Sequence, residues 1–486
     1  MDVNRRRLDD ANVTLMGLPL PELRCRTRTS LLGDSERPAW VIGHQPEFIH
    51  PGVWFKHLVA DRMARVTDGV AVNLIVDSDV PKSTGLRVVR RQGDELIVTH
   101  VLVPTAEPRF PYEHWPAVTA GRLAAFRAEV RQAMGAAFEE SLMPGFFEAF
   151  GRSEDSGGFV EQMARGRRVA DELVEAELLE QRISRCWGGP LLGEMLLNAE
   201  RFAAAYNAAL ADYRRERRIR SATRPMPDLQ RAGEGVELPL WVYAPAEPRR
   251  RLFVARRGDT LVLFADTERV AQITRGELGS WCQMPVSALP GTSLAVRPRA
   301  LTLTLWARLL LADLFLHGIG GAKYDRITDG LIRRYFGMEP PEVACATATL
   351  RLALGLETAG NSRVREAARR LREWRYNPHR LLADRTDWEP LWRERESLIE
   401  AGRRLRTANP HDHAGRRENF IATRRLNQRI RGIDPHVGPI LREAYEQALR
   451  RSARSRAASS REYFVGLYAS GQLRQLAARF DAELKR

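Results

Sequence analysis

Lysine is the scarcest charged residue in this sequence, and its positions pick out three stretches that could do chemistry. Of 76 basic residues in 486, only Lys56, Lys82, Lys323 and Lys485 are lysines. In the first stretch, Gly43-His44-Gln45-Pro46 follows a short apolar run and precedes Pro51-Gly52, His50, Lys56 and His57 close by. A strand end feeding a helix start offers free N–H groups and a positive dipole end to a phosphate or carboxylate. His44 and Gln45 could donate to the same anion, with Gly43 and Lys56 beside them. In the second stretch, Asp77-Ser78-Asp79 closes the apolar run 70–76 and leads to Lys82. Paired carboxylates there could hold Mg²⁺, accept a proton, or bind an amine or a ribose. Capping of the next turn is the plainer use of the same residues. The third stretch is His317-Gly318-Ile319-Gly320-Gly321-Ala322-Lys323-Tyr324-Asp325. Gly318, Gly320 and Gly321 permit close backbone approach to a ligand. Lys323 offers a compact ammonium where arginine's planar fork would not substitute. Asp325 could orient a partner, and His317 is a general acid–base candidate. The glycine spacing is neither a Walker A loop nor the dinucleotide G-x-G-x-x-G.

Such residues need elements to hold them. The apolar runs near 40–42 and 70–76 read as strands, with a helix from about 51 to 64 between them. Strand, helix, strand within about forty residues is a βαβ unit with a right-handed crossover. Ligands of such parallel sheets bind beyond the carboxyl ends of the strands, where the first two stretches fall. The pattern is helical over 115–221 and turns to strands over 222–290, at 238–243, 251–255 and 260–264. After Arg297-Pro298 an apolar helix runs to Phe315, a second helix runs to Phe336, and a return strand begins at Val343. The expected division is a first core half (1–114), a helical insertion (115–221), a small β-rich insertion (222–290), a second core half with the glycine-rich loop (291–356) and a basic helical tail (357–486).

The formal net charge of +15 is concentrated in that tail. Residues 361–486 hold 28 Arg and one Lys against 16 acids, a net of +13, which leaves the first 360 residues at +2. Helices are expected at 364–374, 388–406, 418–433 and 439–457, punctuated by Pro378, Pro410 and Pro435. The tail's arginines could form a polyanion-binding face or a solvated face paired with interleaved acids, as on the flanks of a coiled coil. The start of the chain lacks the apolar region of a secretory signal. The most apolar run, 301–316, is too short to span a bilayer and carries Arg308 and Asp313. Cys25, Cys186, Cys282 and Cys345 contain no CxxC pair, so neither a disulfide framework nor a metal site is expected. These features fit a soluble, cytoplasmic α/β protein.

In this order the clusters resemble the bacillithiol biosynthesis cysteine-adding (BshC-like) family. The matching parts are Gly43-His44-Gln45-Pro46 with Pro51-Gly52, the acidic strand end at Asp77 and Asp79, Leu294-Ala295-Val296-Arg297-Pro298, the stretch from His317 to Tyr324, Phe336-Gly337-Met338-Glu339-Pro340-Pro341, and Ser460-Arg461-Glu462-Tyr463-Phe464. The resemblance implies a Rossmann-like core akin to class I aminoacyl-tRNA synthetases, interrupted by connective insertions and followed by an α-helical coiled coil that could pair two copies. It implies ATP-assisted amide formation, with Mg²⁺, between an amino acid such as cysteine and an amino-sugar or other small amine. His44, Asp77, Asp79, His317 and Lys323 would then be catalytic. Gly43, Gln45, Lys56, Lys82, Arg297, Gly318, Gly320, Gly321, Tyr324 and Asp325 would bind substrate or nucleotide. Two departures stand out. The family's Glu-Asp-His-Asp run is Asp77-Ser78-Asp79-Val80 here, and its Gly-Gly-Pro-x-Glu loop is Gly320-Gly321-Ala322-Lys323. Acid replaced by base in the loop points to a more anionic substrate. A fold that lost catalysis and uses its arginine-rich tail on RNA or another polyanion is the alternative, and a nucleotidyltransferase is a third.

Overall fold

The apolar runs around Val41 and Val72 become neighbouring strands of a parallel sheet. In the computed structural model, β1 (Ala39–His44) and β2 (Val70–Ile75) pair in parallel and are joined by α1 (Pro51–Val66). Beside β2 lies β3 (Leu179–Arg182), beside β1 lies β4 (Leu314–His317), and β5 (Val343–Cys345) follows β4. The order β3-β2-β1-β4-β5 is that of a doubly wound, Rossmann-like sheet. Its winding reverses between β1 and β4, which makes the carboxyl ends of these two strands the topological switch point. The structure describes all residues except 94, 106, 153–157, 284, 355–361, 383–388 and 409–410. The expected boundary at 357, the start of the helix at 388 and Pro410 lie outside the described residues.

Alternation along the strands assigns the two faces of the sheet. Trp40, Ile42, Ala71 and Leu316 pack with Ala60 and Ala64 of α1. Ala39, Val41, Val72, Leu74 and Phe315 face the larger core on the other side. Asp313, buried just before β4, joins the halves of the core: it accepts from Arg24 (3.2 Å), Arg28 (3.0 Å) and the Ala39 N–H (2.8 Å). A charge placed there with full pairing explains why Asp313 interrupts an apolar run that is not a membrane span. Among the described residues, no helix is long and apolar enough to cross a membrane.

Four sequence expectations shift. The stretch 115–221 is mostly helical but also supplies β3, whose residues Leu-Glu-Gln-Arg carry too little apolar pattern to mark a strand. The apolar helix after Pro298 ends sooner, as Ala300–Trp306 and a π-helical turn Ala307–Leu311, so that its last residues form β4. The glycine-rich stretch is not an open loop, because Ile319–Tyr324 coils into a short helix ahead of α3 (Arg326–Phe336). Residues 222–290 form an antiparallel sheet whose edge strand, Ala295–Pro298, pairs with Gly235–Tyr243. That strand therefore belongs to the β-rich insertion.

The chain divides into two units: residues 1–90, 98–352 and 461–486, which hold the five-stranded parallel sheet and the six-stranded antiparallel sheet, and residues 91–97 and 353–460. In the second, helices Ser362–Tyr376, Glu389–Ala408, His413–Gly432 and Val437–Ser459 enclose a core of Trp374, Leu382, Leu426, Ile430 and Leu441. Several of its arginines face acids one turn away, as in Arg369 with Glu366 and Glu373, and Arg404 with Glu400.

Candidate functional site

Two cations converge on the carboxyl end of β1. α1 starts with Pro51, whose missing N–H is harmless in a first turn, and with Gly52, where a Cβ would come within 2.7 Å of the Ala348 carbonyl oxygen. One turn later Lys56, only 5% exposed, sends its ammonium back to the Gly43 carbonyl at 3.0 Å. From the other side comes Arg167 of α2 (Gly158–Glu172), 3% exposed, which donates to the Gln45 carbonyl at 2.9 Å. The two helices are locked by Asp171, which accepts from the Trp54 indole (2.9 Å) and from His57 (3.1 Å).

Neither cation has a carboxylate within 4.0 Å among the described residues, and the Arg167 Nε has no partner. A buried charge normally demands a counter-charge. Here burial, and then the Arg167 charge, push the Lys56 ammonium down to about 8, against a smaller opposing pull from Cys345 at the end of β5. Burial also depresses Arg167 itself.

His44 completes the group. Its Nδ1 lies 3.0 Å from the Gln45 carbonyl, which can only accept, so the ring donates there and Nε2 is left as an acceptor. Burial first, and then Lys56, hold the imidazole well below its ordinary value, so it is neutral at pH 7. The Gln45 carbonyl therefore receives three donors: His44 Nδ1, Arg167 and the Glu47 N–H at 2.8 Å. Lys82, exposed on the next loop, adds a weaker positive influence on His44.

The acidic strand end is differently occupied. Asp77 is fully buried and accepts from Arg182 Nε (2.8 Å), the Ser184 N–H (2.9 Å) and the Ser184 hydroxyl. Burial and the nearby Glu113 charge raise its affinity for a proton, against the pull of Arg182. Asp79 takes the Gln45 side-chain amide at 2.9 Å and Arg249 at 2.7 Å, the guanidinium lying over Trp241. Each carboxylate is already paired with an arginine, Asp77 with Arg182 and Asp79 with Arg249, so the pair is a poor fit for a Mg²⁺ ion. No group of three or more His, Cys, Asp or Glu side chains is placed to hold a metal among the described residues. Arg297 is equally committed, forming a two-point pair with Glu113 at 3.1 and 3.0 Å.

His317 has the strand parity of Phe315, which it contacts, and so lies on the opposite face of the sheet from His44. Its Nε2 meets Asp325 at 2.9 Å, and Asp325 also accepts from Arg308 at 2.7 Å. Gly321 fits beneath the imidazole, where a Cβ would lie 2.8 Å from Nδ1. Gly318 and Gly320 face open space, and Lys323 and Tyr324 are exposed, with the Tyr324 ring 6.4 Å from that of Tyr213. Although burial opposes it, the His317 bond and the Arg308 charge hold the Asp325 carboxyl at about 2. A carboxylate depressed on folding stabilises above its unfolded value and loses that contribution as pH falls through the folded one. Between pH 4 and pH 2 the wild type should lose about 2 kcal/mol that Asp325→Asn never had. Urea unfolding of both proteins across that range measures it.

The residues singled out from the sequence thus divide among three environments. Gly43, His44, Gln45 and Lys56 gather around the strand end, with Lys82 nearby. Asp77, Asp79 and Arg297 are held by protein partners, and His317, Gly321 and Asp325 form a network on the far face. Among the described residues no hydrogen bond or ion pair joins His44 to Asp77, or either to Lys323. Sequence reasoning missed Arg167, Arg182, Glu113, Asp171 and Arg249, since nothing local distinguishes one arginine among 72. The comparisons with known proteins give no further identification: no family model matches the chain, and no curated protein matches it.

Proposed function

We propose that the chain is an enzyme that binds the anionic group of a small substrate at the carboxyl end of β1 and joins an activated carboxylate to an amine. This is the ligase reaction implied by its resemblance to the bacillithiol cysteine-adding family, on a class I synthetase-like core with a coiled-coil tail as a dimerisation element. The observation that carries the reading is the pair of buried cations, Lys56 and Arg167, which converge on the switch point with no carboxylate within 4.0 Å of either among the described residues, the Glu180, Asp171 and Glu47 charges acting on Arg167 from farther off.

In this reading Lys56 and Arg167 neutralise carboxylate or phosphate oxygens in a site with little water, where such charges act most strongly. His44, neutral and oriented by its bond to Gln45, takes a proton at Nε2 from the attacking amine. The same cations suit the phosphates of ATP, which would supply the activation; the committed state of Asp77 and Asp79 argues against a Mg²⁺ held by that pair. The departure from the family's glycine loop leaves Lys323 exposed and available to a charged acceptor.

The test is ATP consumption dependent on both an amino acid and an amine acceptor. His44→Ala should lower it about 100-fold, and an equal rate in the variant would end the assignment. The competing polyanion reading draws on exposed tail arginines such as Arg404 and Arg450. It requires RNA affinity that falls steeply with salt, which filter binding would reveal.

A further inference from the structure

The loop that follows β1 also walls a second cavity, of about 250 Å³. A cavity of about 150 Å³ already accepts benzene. Five aromatic rings line it: Phe48 from the loop, Tyr112 and Trp115, Phe159 of α2, and Phe464. Phe464 arrives from the end of the chain, pinned where the Val465 N–H bonds the Ile49 carbonyl at 2.8 Å. The rings form two groups. The Tyr112–Trp115 and Trp115–Phe159 centroids lie 4.8 and 4.9 Å apart, with planes inclined by 48° and 51°. Phe48 meets Phe464 at 5.1 Å and 71°. Rings so inclined turn faces as well as edges to the space they share, and an aromatic face is negative at its centre. The charged lining points the same way. Glu47 and Glu462 are set against one guanidinium, that of Arg87, which lies 4.7 Å from the centroid of Tyr463, a ring outside the lining. The Glu47 Oε1 accepts from the Tyr112 hydroxyl (3.0 Å) and the Lys82 N–H (3.3 Å), while its Oε2 makes no hydrogen bond among the described residues. Ser83 and His100 line the cavity and are exposed, so it opens to solvent. Lys56 and Arg167 are not among its walls.

From these walls we infer a binding site for a small organic cation, an ammonium carrying apolar groups. Its methyl or methylene groups contact the rings, its positive charge is attracted to their faces, and Glu47 supplies the counter-charge. With Arg87 set against Glu462, the charge of one carboxylate remains for the ligand. An anion would meet two carboxylates. A neutral guest of the same shape would gain burial but not the attraction to the rings. The site is separate from the cation pair at the end of β1, and neither needs the other.

Isothermal titration of the full chain with choline and with 3,3-dimethylbutan-1-ol, its uncharged isostere, tests the inference. Choline should bind about tenfold more tightly than the alcohol, or better. Glu47→Gln, whose remaining oxygen can keep the Tyr112 bond, should weaken choline about tenfold and leave the alcohol unchanged. Phe48→Leu, which keeps an apolar wall but removes a ring, should weaken choline about fivefold and the alcohol by less than about twofold. Thermal unfolding at the wild-type midpoint shows that each variant folds, and the wild-type comparison of choline with the alcohol decides the matter where one does not. Choline without measurable binding, choline bound no more tightly than the alcohol, or choline affinity unchanged in either folded variant would overturn the inference. None of these results touches the ligase reading, which ATP consumption tests by itself.

Discussion

Replacing Lys56 by methionine should make the protein more stable and unable to hold its anion. The wild type pays to keep an ammonium in a buried place, because burial and Arg167 push it from 10.5 down to about 8. A lysine depressed on folding is destabilising wherever the unfolded chain holds the extra proton firmly. The penalty is therefore complete below pH 8 and fades as pH rises from 8 towards 10.5. At neutral pH it amounts to about 3 kcal/mol. Methionine of similar length removes it, while leaving the Gly43 carbonyl without its donor, so a net gain on the order of 1–3 kcal/mol is expected. Pyrophosphate affinity should fall on the order of 10²–10³-fold, since one of two buried cations is lost. In the wild type the same affinity should stay level up to pH 8 and then decline as Lys56 releases its proton. Arg167 and Cys345 are the groups that set where this happens, and neutral His44 contributes no charge. Chemical denaturation and calorimetry on the two proteins give both numbers. A variant that binds pyrophosphate as the wild type does would remove the cation site from consideration.

Asp77→Ala should behave in the opposite way, damaging the fold rather than a reaction. The carboxylate is fully buried and takes three hydrogen bonds, from Arg182 and twice from Ser184. Without it the Arg182 guanidinium loses its 2.8 Å carboxylate partner, while Glu161 stays at 3.4 Å. Breaking a buried pair from one side costs about 3–5 kcal/mol, chiefly through the charge left behind. Asp77→Asn retains the shape and should lose less, about 1–2 kcal/mol. If Asp77 were a proton acceptor in the reaction, the asparagine variant would be inactive with unchanged stability. Urea midpoints for the two variants separate these outcomes.

The sheet was readable in the sequence where its strands are apolar. Val41 and Val72 sit in runs that no surface segment would carry, and the proline and glycine that open α1 mark the turn between them. β3 was hidden because a short strand ending in Arg182, with its polar atoms engaged by neighbours, leaves almost no periodic signal. The site was legible by half. Glycine, histidine and lysine at a strand end are unusual enough to notice, and Gly43, His44, Gln45 and Lys56 do meet there. Arg167 and Glu47 could not be found that way, because their roles come from a helix and a loop brought close only by folding. Asp77 and Asp79 were conspicuous in the sequence, yet a carboxylate after a buried strand serves pairing as readily as chemistry, and only the fold shows that Arg182 and Arg249 are the partners they pair with.

The separation of β1 from β4 bears on the protein's synthesis. β1 ends at residue 44 and β4 begins at residue 314. A ribosome adding about 5–20 residues per second spends on the order of tens of seconds between them. During that interval β1 and β2 have emerged, but one side of β1 has no strand to pair with. An unpaired edge of Trp-Val-Ile composition invites association with other nascent chains. Expression yield should therefore depend on how the helical segments translated in between shield that edge, a demand imposed by the order of the strands rather than by their final stability.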